Sequence, residues 1–457
     1  MALNLRMRFY IAILVDNIKH TSRHDTGNNN RNAERIRRMK RIAFILCLSL
    51  ALGGMMLGSA SADETKTRAQ IIVISDIHLS VDDSIGETTE NKDDLLAFLK
   101  GVRASDTAAE LVIAGDLIDQ WFLPMQYEMP GTLWEFNDLI AKNNQEIFDE
   151  INLIITDGKI KVSYVPGNHD INLDEEETER LFPGINQARD ALGLGTYIAG
   201  SNDIAIEHGH RYNIFVSPDP LSNRDVVSNK DAILPCGYFF TRIATSSAIM
   251  GKPETDNTFA QAVPRTDDAV QMAYYSLFKV WENLMTTFPV KESFDDRVIR
   301  TNIDGYSDVY AINDLIPFQK DDGDFSVTLY DGIIENWDER QAMNHVQAPT
   351  NAQEAIIGAA STAYSDSLPA TQYFALDPAI KLVVFGHTHE ARILKMTNLD
   401  GDDVLYANSG TWVDHWYDFP TRTYLVINPA DTQITVSLQQ IADDGTSIML
   451  SQETIMK

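Results

Sequence analysis

The chain is short of cysteine, short of positive charge beyond its first sixty residues, and without an apolar run long enough to span a bilayer. Its 457 residues contain two cysteines. Cys47 lies in an apolar segment near the N-terminus, without the small residues a lipoprotein site places before its cysteine, which leaves Cys236 alone in the remainder. An intramolecular disulfide and a cysteine-ligated zinc site are both excluded. Stability must come from packing or from metal held by other side chains, and Cys236 reads as a small buried hydrophobe.

Basic residues are unevenly spread. Residues 1–62 hold 10 Lys+Arg and 3 Asp+Glu, so the rest of the chain has 27 basic and 63 acidic groups, a formal net charge of −36. That surface repels phosphate backbones and anionic lipid headgroups, which argues against bulk nucleic-acid binding, although a local metal centre can still draw in one phosphate. The apolar run from Ile42 to Leu57 is broken by glycine and falls short of the ~20 residues a membrane span needs. It follows Arg37, Arg38, Lys40 and Arg41 and precedes Ala60-Ser61-Ala62, a small-x-small cleavage pattern. Residues 1–62 therefore read as leader and signal peptide, cleaved near Ala62, with a periplasmic or extracellular mature chain that has no membrane span. The competing reading is an uncleaved anchor. Met39-Lys40-Arg41 opens a complete signal peptide by itself, so residues 1–38 read as an extension ahead of the true start.

With 44% hydrophobic and 23% charged residues the mature chain can bury one large core or two smaller ones. Short β-branched runs recur and end in polar clusters: Ile71–Ile74 before Asp76 and His78, Leu111–Ala114 before Asp116 and Asp119, Lys161–Val165 before Asn168, His169 and Asp170, Ile204–Ile206 before His208 and His210, and Leu382–Phe385 before His387 and His389. Each run is too short for a helix and reads as a buried strand. Helical stretches at Asp93 to Lys100 and Leu133 to Asn152 alternate with the first three, giving an α/β sheet whose site lies at the carboxyl ends of its strands. Thr266 to Phe288 reads as an amphipathic helix inside an insertion, residues 212–379, that separates a first core segment (63–211) from a second (380–457). Strands are expected at Val404 to Asn408, Thr423 to Asn428 and Gln433 to Gln440.

Six of the eight histidines beyond the leader region sit in those strand-end clusters. A lone strand-end histidine is ordinarily a satisfied polar residue. Five clusters of carboxylate, imidazole and one amide at the same end of successive strands are not explained that way. Mixed oxygen and imidazole donors suit Mn, Fe or Zn, whereas Ca or Mg would want oxygen alone.

Asp76-x-His78, Gly115-Asp116-x-x-Asp119, Gly167-Asn168-His169-Asp170, His208-Gly209-His210 and Gly386-His387-x-His389 stand in the order and strand context of the calcineurin-like metallophosphoesterases, which the chain resembles over residues 70–211 and 380–427. The resemblance implies a four-layer αββα sandwich with a large, mostly helical insertion, and two metal ions. Asp76, His78, Asp116 and His389 would hold one ion, and Asp116, Asn168, His208 and His387 the other, with Asp116 bridging. A hydroxide between the ions would attack a small phosphate ester, so no Ser or Cys nucleophile is required. His169 would protonate the leaving alkoxide and Asp119 would orient it, unless Asp119 only caps its loop. His210 and Arg211 are candidate substrate contacts, against a supporting role for His210 and an ordinary ion pair for Arg211.

Protein Ser/Thr phosphatases of this superfamily carry Arg-Gly where Gln120-Trp121 stand and Glu where Asp170 stands. Purple acid phosphatases have a tyrosine ligand where Asp119 stands. The motif style is closer to bacterial UDP-diacylglucosamine pyrophosphatase-like members, but those have Arg in place of His169, so their activity does not transfer. The implied function is hydrolysis of a phosphomonoester or phosphodiester. The rivals are a catalytically silent binding or scaffold protein, which would normally have lost ligands that are all present here, and a nuclease, which the acidic balance opposes. Trp121, Phe122, Trp134, Tyr238, Phe239, Phe240 and Trp281 are candidates for an apolar cap over the metals, or for the insertion's own core.

Overall fold

A computed structural model of the chain describes residues 68–359 and 361–457. The signal-peptide reading of residues 1–62 lies outside them. Among the described residues no helix is long and apolar enough to cross a membrane.

In chain order the strands are β1 (Gln70–Ile74), β2 (Ala108–Ala114), β3 (Lys161–Val165), β4 (Asn186–Gln187), β5 (Tyr197–Ala199), β6 (Ile204–Ile206), β7 (Arg297–Arg300), β8 (Val309–Ala311), β9 (Phe318–Gln319), β10 (Phe325–Ser326), β11 (Leu382–Phe385), β12 (Arg392–Thr397), β13 (Asp403–Asn408), β14 (Thr423–Pro429), β15 (Gln433–Ile441) and β16 (Ser447–Met456). One sheet runs β16-β15-β14-β1-β2-β3-β4, and a second runs β12-β13-β11-β6-β5. β1, β2, β3 and β4 are parallel, as are β6, β11 and β13. The five strands that end in the polar clusters, β1, β2, β3, β6 and β11, all belong to these parallel sets.

Period-two alternation along these strands dictates the layering. Ile72, Ile74, Leu111 and Ile113 point into a core shared with Leu95, Phe98 and Leu99 of the helix Lys92–Ala104 and Ile147, Ile151 and Ile154 of the helix Gln145–Asp157. Their neighbours Ile71, Val73, Val112 and Ala114 face the other way and meet Ile204, Ile206, Leu382, Val384, Leu405 and Ala407 of the second sheet. The far side of that sheet, through Val383, Phe385, Val404 and Tyr406, packs against Tyr212, Leu368 and Phe374. The order of layers is helix, sheet, sheet, helix, so the αββα architecture holds.

The stretch read as a single helix over 133–152 is two, Leu133–Asn143 and Gln145–Asp157. Asn144 separates them, its buried side-chain amide donating to the carbonyls of Ser80 and Ile140. In the 212–379 stretch the long helix is Ala269–Thr287, capped by the Asp268 carboxylate, which accepts from the N–H groups of Val270 and Gln271. With Gly237–Ile249, Trp337–Met343, Ala352–Gly358 and Thr362–Pro369 it accounts for only about a third of this stretch, which also holds two ribbons, β7-β8 and β9-β10, and long loops, so the described residues do not show a mostly helical insertion. Its aromatic residues do not form a separate core. Phe239, Phe240 and Trp281 join the cluster that also holds Trp121 and Phe136.

Candidate metal centre

The five polar clusters converge. Asp76, His78 and Asp116, and likewise His387 and His389, have positive φ, between 52° and 66°. Non-glycine residues seldom adopt that conformation, which costs on the order of 1–3 kcal/mol per residue and gathers at functional sites. Here it turns each side chain off the end of its strand toward a common point. Two glycines make the approach possible. A Cβ on Gly167 would lie 2.2 Å from Asp116 Oδ1, and one on Gly386 would lie 2.5 Å from Asp76 Oδ2.

Ligating atoms of Asp76, His78, Asp116 and His389 all lie within 4.8 Å of one another, and all four residues are buried. His78 Nε2 is 3.2 Å from His389 Nε2 and 3.5 Å from Asp116 Oδ2, and His389 Nε2 is 3.2 Å from Asp76 Oδ1. On the other side of Asp116, the same Oδ2 is 3.2 Å from His208 Nε2, which is 3.1 Å from Asn168 Oδ1. The His387 ring centroid lies 5.1 Å from that of His208. Oδ2 of Asp116 thus stands between His78 and His208, but of the two expected donor sets only Asp76, His78, Asp116 and His389 bring their ligating atoms within 4.8 Å of one another among the described residues.

Electrostatics show what the cluster wants. Asp76 and Asp116 are fully buried, and among the described residues neither pairs with a lysine or arginine; their ionisable partners are imidazoles, beside the Ser75 hydroxyl and the N–H groups of His387 and His169. Burial opposes protonation of His78, but its hydrogen bond to Asp119 and the charges of Asp116 and Asp119 outweigh it and push His78 up to about 10. His208, opposed by burial and favoured by Asp116 and Asp76, is pushed up to about 9. Burial would raise Asp116, yet His208, His169 and His78 hold it well below the usual carboxylate range. Buried carboxylates without a permanent counter-charge, and two Nε2 atoms facing each other at 3.2 Å, require shared protons or a cation, so the donor set fits metal.

The tautomers are set from behind. His208 Nδ1 lies 2.8 Å from the carbonyl of Ala114, which leaves Nε2 toward Asp116. Asp119 serves two imidazoles: Oδ2 is 2.8 Å from His78 Nδ1 and Oδ1 is 3.0 Å from His169 Nδ1. Its hold on His78 has no counterpart in the motif reading, which paired it with His169 alone. Oδ1 of Asp119 also accepts from the N–H groups of Trp121 and Phe122, so one carboxylate contacts both rings and its own loop. Asp170 accepts from the N–H groups of Gly167 and Leu117, tying the β3 loop to the β2 loop.

The two candidate substrate contacts are placed differently. His210 is buried with Nε2 3.1 Å from the Gly193 carbonyl, and the neighbouring His208 adds to burial in holding it neutral. Arg211 is also buried and committed within the chain: Nε to Glu207, one amino group to the Asn344 carbonyl, the other to Asp190 and Thr196. A phosphate contact would have to break those bonds, so the geometry gives Arg211 the ion-pair role.

A cleft open to solvent leads to the cluster. Trp121, Phe122 and Phe240 of the expected aromatic set line it, together with Phe215, Val216 and Trp416. Tyr238, Phe239 and Trp281 are core, and Trp134 is an exposed ring under Arg180. Trp121 stacks on His169 at 4.8 Å, and Trp416 lies 4.2 Å from the His389 ring. Glu87 and Trp416 were missed by sequence reasoning because they sit in loops without a metal-binding motif.

Residues 69–238 match the family model described as calcineurin-like phosphoesterase. No curated protein matches the chain. Among solved structures the chain is similar to zinc-complexed Vps29 from Entamoeba histolytica (11% identity over 85% of this chain and 98% of that one, TM-score 0.27), to vacuolar protein sorting 29 from Cryptosporidium parvum (11%, 85% and 98%, 0.28) and to a predicted phosphoesterase from Streptococcus pneumoniae (10%, 85% and 98%, 0.26). Likenesses at those TM-scores carry no argument about activity. The matched segment takes in four of the five strand-end motifs, so over residues 69–238 the chain is similar to the calcineurin-like phosphoesterases.

Proposed function

We propose that the chain is an exported, dinuclear metal-dependent phosphoesterase that hydrolyses a phosphomonoester or phosphodiester. The observation that carries this reading is the position of Asp116 Oδ2, 3.5 Å from His78 Nε2 and 3.2 Å from His208 Nε2, one carboxylate oxygen common to two donor sets. Asp76, His78, Asp116 and His389 would hold one cation, and Asp116, Asn168, His208 and His387 the other. When bound, the cations supply an acidified water and neutralise charge on the phosphoryl group. Mn, Fe and Zn suit the mixed donors.

The chain's own residues do the rest. Asp119 fixes the His169 ring through Nδ1, and the Trp121 face holds it in plane beside the cleft, which leaves Nε2 to carry the proton for the leaving alkoxide. The aromatic wall reduces the water around the reacting group and so strengthens the charge interactions beneath it. Export rests on the leader pattern.

The test is a metal analysis of the folded protein with a panel of mono-, di- and pyrophosphate esters. Two ions per chain and turnover are expected, and one ion or none at saturation overturns the dinuclear reading. His169→Ala is expected to keep both ions and to lose turnover of alkyl esters by ~10²–10⁴-fold, while p-nitrophenyl esters, whose leaving group needs no proton, suffer less. Equal losses on the two substrates remove His169 as the acid.

A further inference from the structure

We infer that the cleft takes a phosphodiester whose non-reacting ester arm carries an ammonium group, and that Glu87 is the residue selecting it. This rests on the phosphoesterase reading and names the substrate class of the same site.

The cleft lining is unusual for a phosphate site in what it omits. Among the described residues neither lysine nor arginine lines it. The charged or ionisable groups in it are the donor and acid residues His78, Asp116, His169, His387 and His389, with a single addition, the carboxylate of Glu87. A substrate with a second phosphate or a carboxylate would find no cation to receive it outside the metal centre, and would meet Glu87 instead. The rest of the wall is mostly apolar and aromatic, with Trp121 and Trp416 against the donor cluster, and holds the neutral polar side chains of Asn168, Asn213 and Thr241. A carboxylate among aromatic faces is the chemistry that receives an ammonium ion, through charge and through the negative faces of the rings. The strongly acidic surface acts in the same direction by raising the local concentration of cations.

Glu87 is held in place from both ends of its loop. Its carbonyl accepts from the Asp414 N–H at 2.8 Å, and the adjacent Thr88 side chain is buried and donates to the Ile77 carbonyl. The Asp414 carboxylate in turn accepts from the N–H groups of Thr89, Glu90 and Asn91, and the Asn91 amide donates to the carbonyls of Trp412 and Val413. The same set of bonds fixes the backbone that carries Glu87 and the chain leading to Trp416, so the two residues reach the cleft wall together.

Two p-nitrophenyl phosphodiesters test the inference, one with a choline arm and one with its uncharged carbon isostere, the 3,3-dimethylbutyl arm. In both, the oxygen of water bonds to phosphorus, the bond from phosphorus to p-nitrophenolate breaks, a proton goes to solvent, and the phosphomonoester of the arm is released. The metal-loaded wild type is expected to favour the choline ester in kcat/KM by about tenfold, and Glu87→Gln to bring that ratio near one while retaining the wild-type metal content. Calorimetry gives a readout that needs no turnover: choline is expected to bind the wild type more tightly than 3,3-dimethylbutanol and to lose that advantage in Glu87→Gln. If neither ester turns over but choline binding depends on Glu87, the phosphoesterase reading fails and the ammonium site stands. If the esters turn over with a ratio near one in the wild type, or with the same ratio in both proteins, the ammonium site is overturned. Loss of metal in Glu87→Gln would also overturn it, by making Glu87 a ligand.

Discussion

Asparagine in place of Asp119 keeps the shape of the side chain and removes its charge. One oxygen can still accept from His169 and the N–H groups of Trp121 and Phe122, and the new amino group then faces His78 Nδ1. That amino group donates, so Nδ1 must accept and the ring proton moves to Nε2, the nitrogen that points at Asp116 and His389. Loss of such a supporting carboxylate lowers metal affinity or activity ~10–100-fold. Beside His169 the variant also loses a charge-assisted hydrogen bond worth ~1.5–3 kcal/mol, which is ~10–150-fold in a proton-transfer step at about 1.36 kcal/mol per tenfold. The two losses separate in an assay of rate against metal concentration with an aryl and an alkyl ester. The expected result is a half-saturating metal concentration raised by ~10–100-fold, with a residual defect at saturating metal that is larger for the alkyl ester. An Asp119→Asn protein with wild-type metal dependence and an unchanged ratio between the two esters would refute the assignment of this carboxylate to both rings.

The metal-free protein is expected to lose stability with rising pH. His78 and His208, raised to about 10 and about 9 from 6.5, contribute stability that is fully present below about pH 6.5 and is lost as the pH climbs through 9 and 10. A falling Tm over that window in chelator-treated protein, absent after metal is restored, is the expected outcome, and a flat profile contradicts it. Arg242→Met should destabilise the fold by about 3–5 kcal/mol, as read from urea unfolding. The wholly buried guanidinium donates to the carbonyls of Leu123, Pro124, Tyr127 and Arg300, which methionine leaves unpaired. A loss below 1 kcal/mol would mean that water takes over those carbonyls.

What could be read from sequence tracks how locally each feature is determined. The strands feeding the site were legible because a β-branched run ended by Asp, His or Asn offers few alternatives, and a shared metal restricts residue type at each end. The Ala269–Thr287 helix was legible from its apolar spacing and its Asp cap. The break at Asn144 was not, because it depends on a hydrogen bond to Ser80, 64 residues away in the chain. β16 escaped notice because nearly all of its residues are exposed and its pairing with β15 leaves no alternating apolar face to read. Arg211 followed a histidine motif, and only the fold reveals Glu207, Asp190 and Asn344 around it. Glu87 and Trp416 become neighbours of the site through the Asp414 contacts with residues 89–91, a link across more than 300 positions.

The left-handed turns at Asp76, His78, Asp116, His387 and His389 bear on how such a site can be altered. Their torsional cost is carried by the sandwich that packs around them. Exchanging one of these residues for alanine would delete a donor and keep the awkward backbone, whereas glycine would delete the donor and release the tension. A lineage that abandoned the chemistry would have reason to drift toward glycine at these five positions and to become sturdier for it.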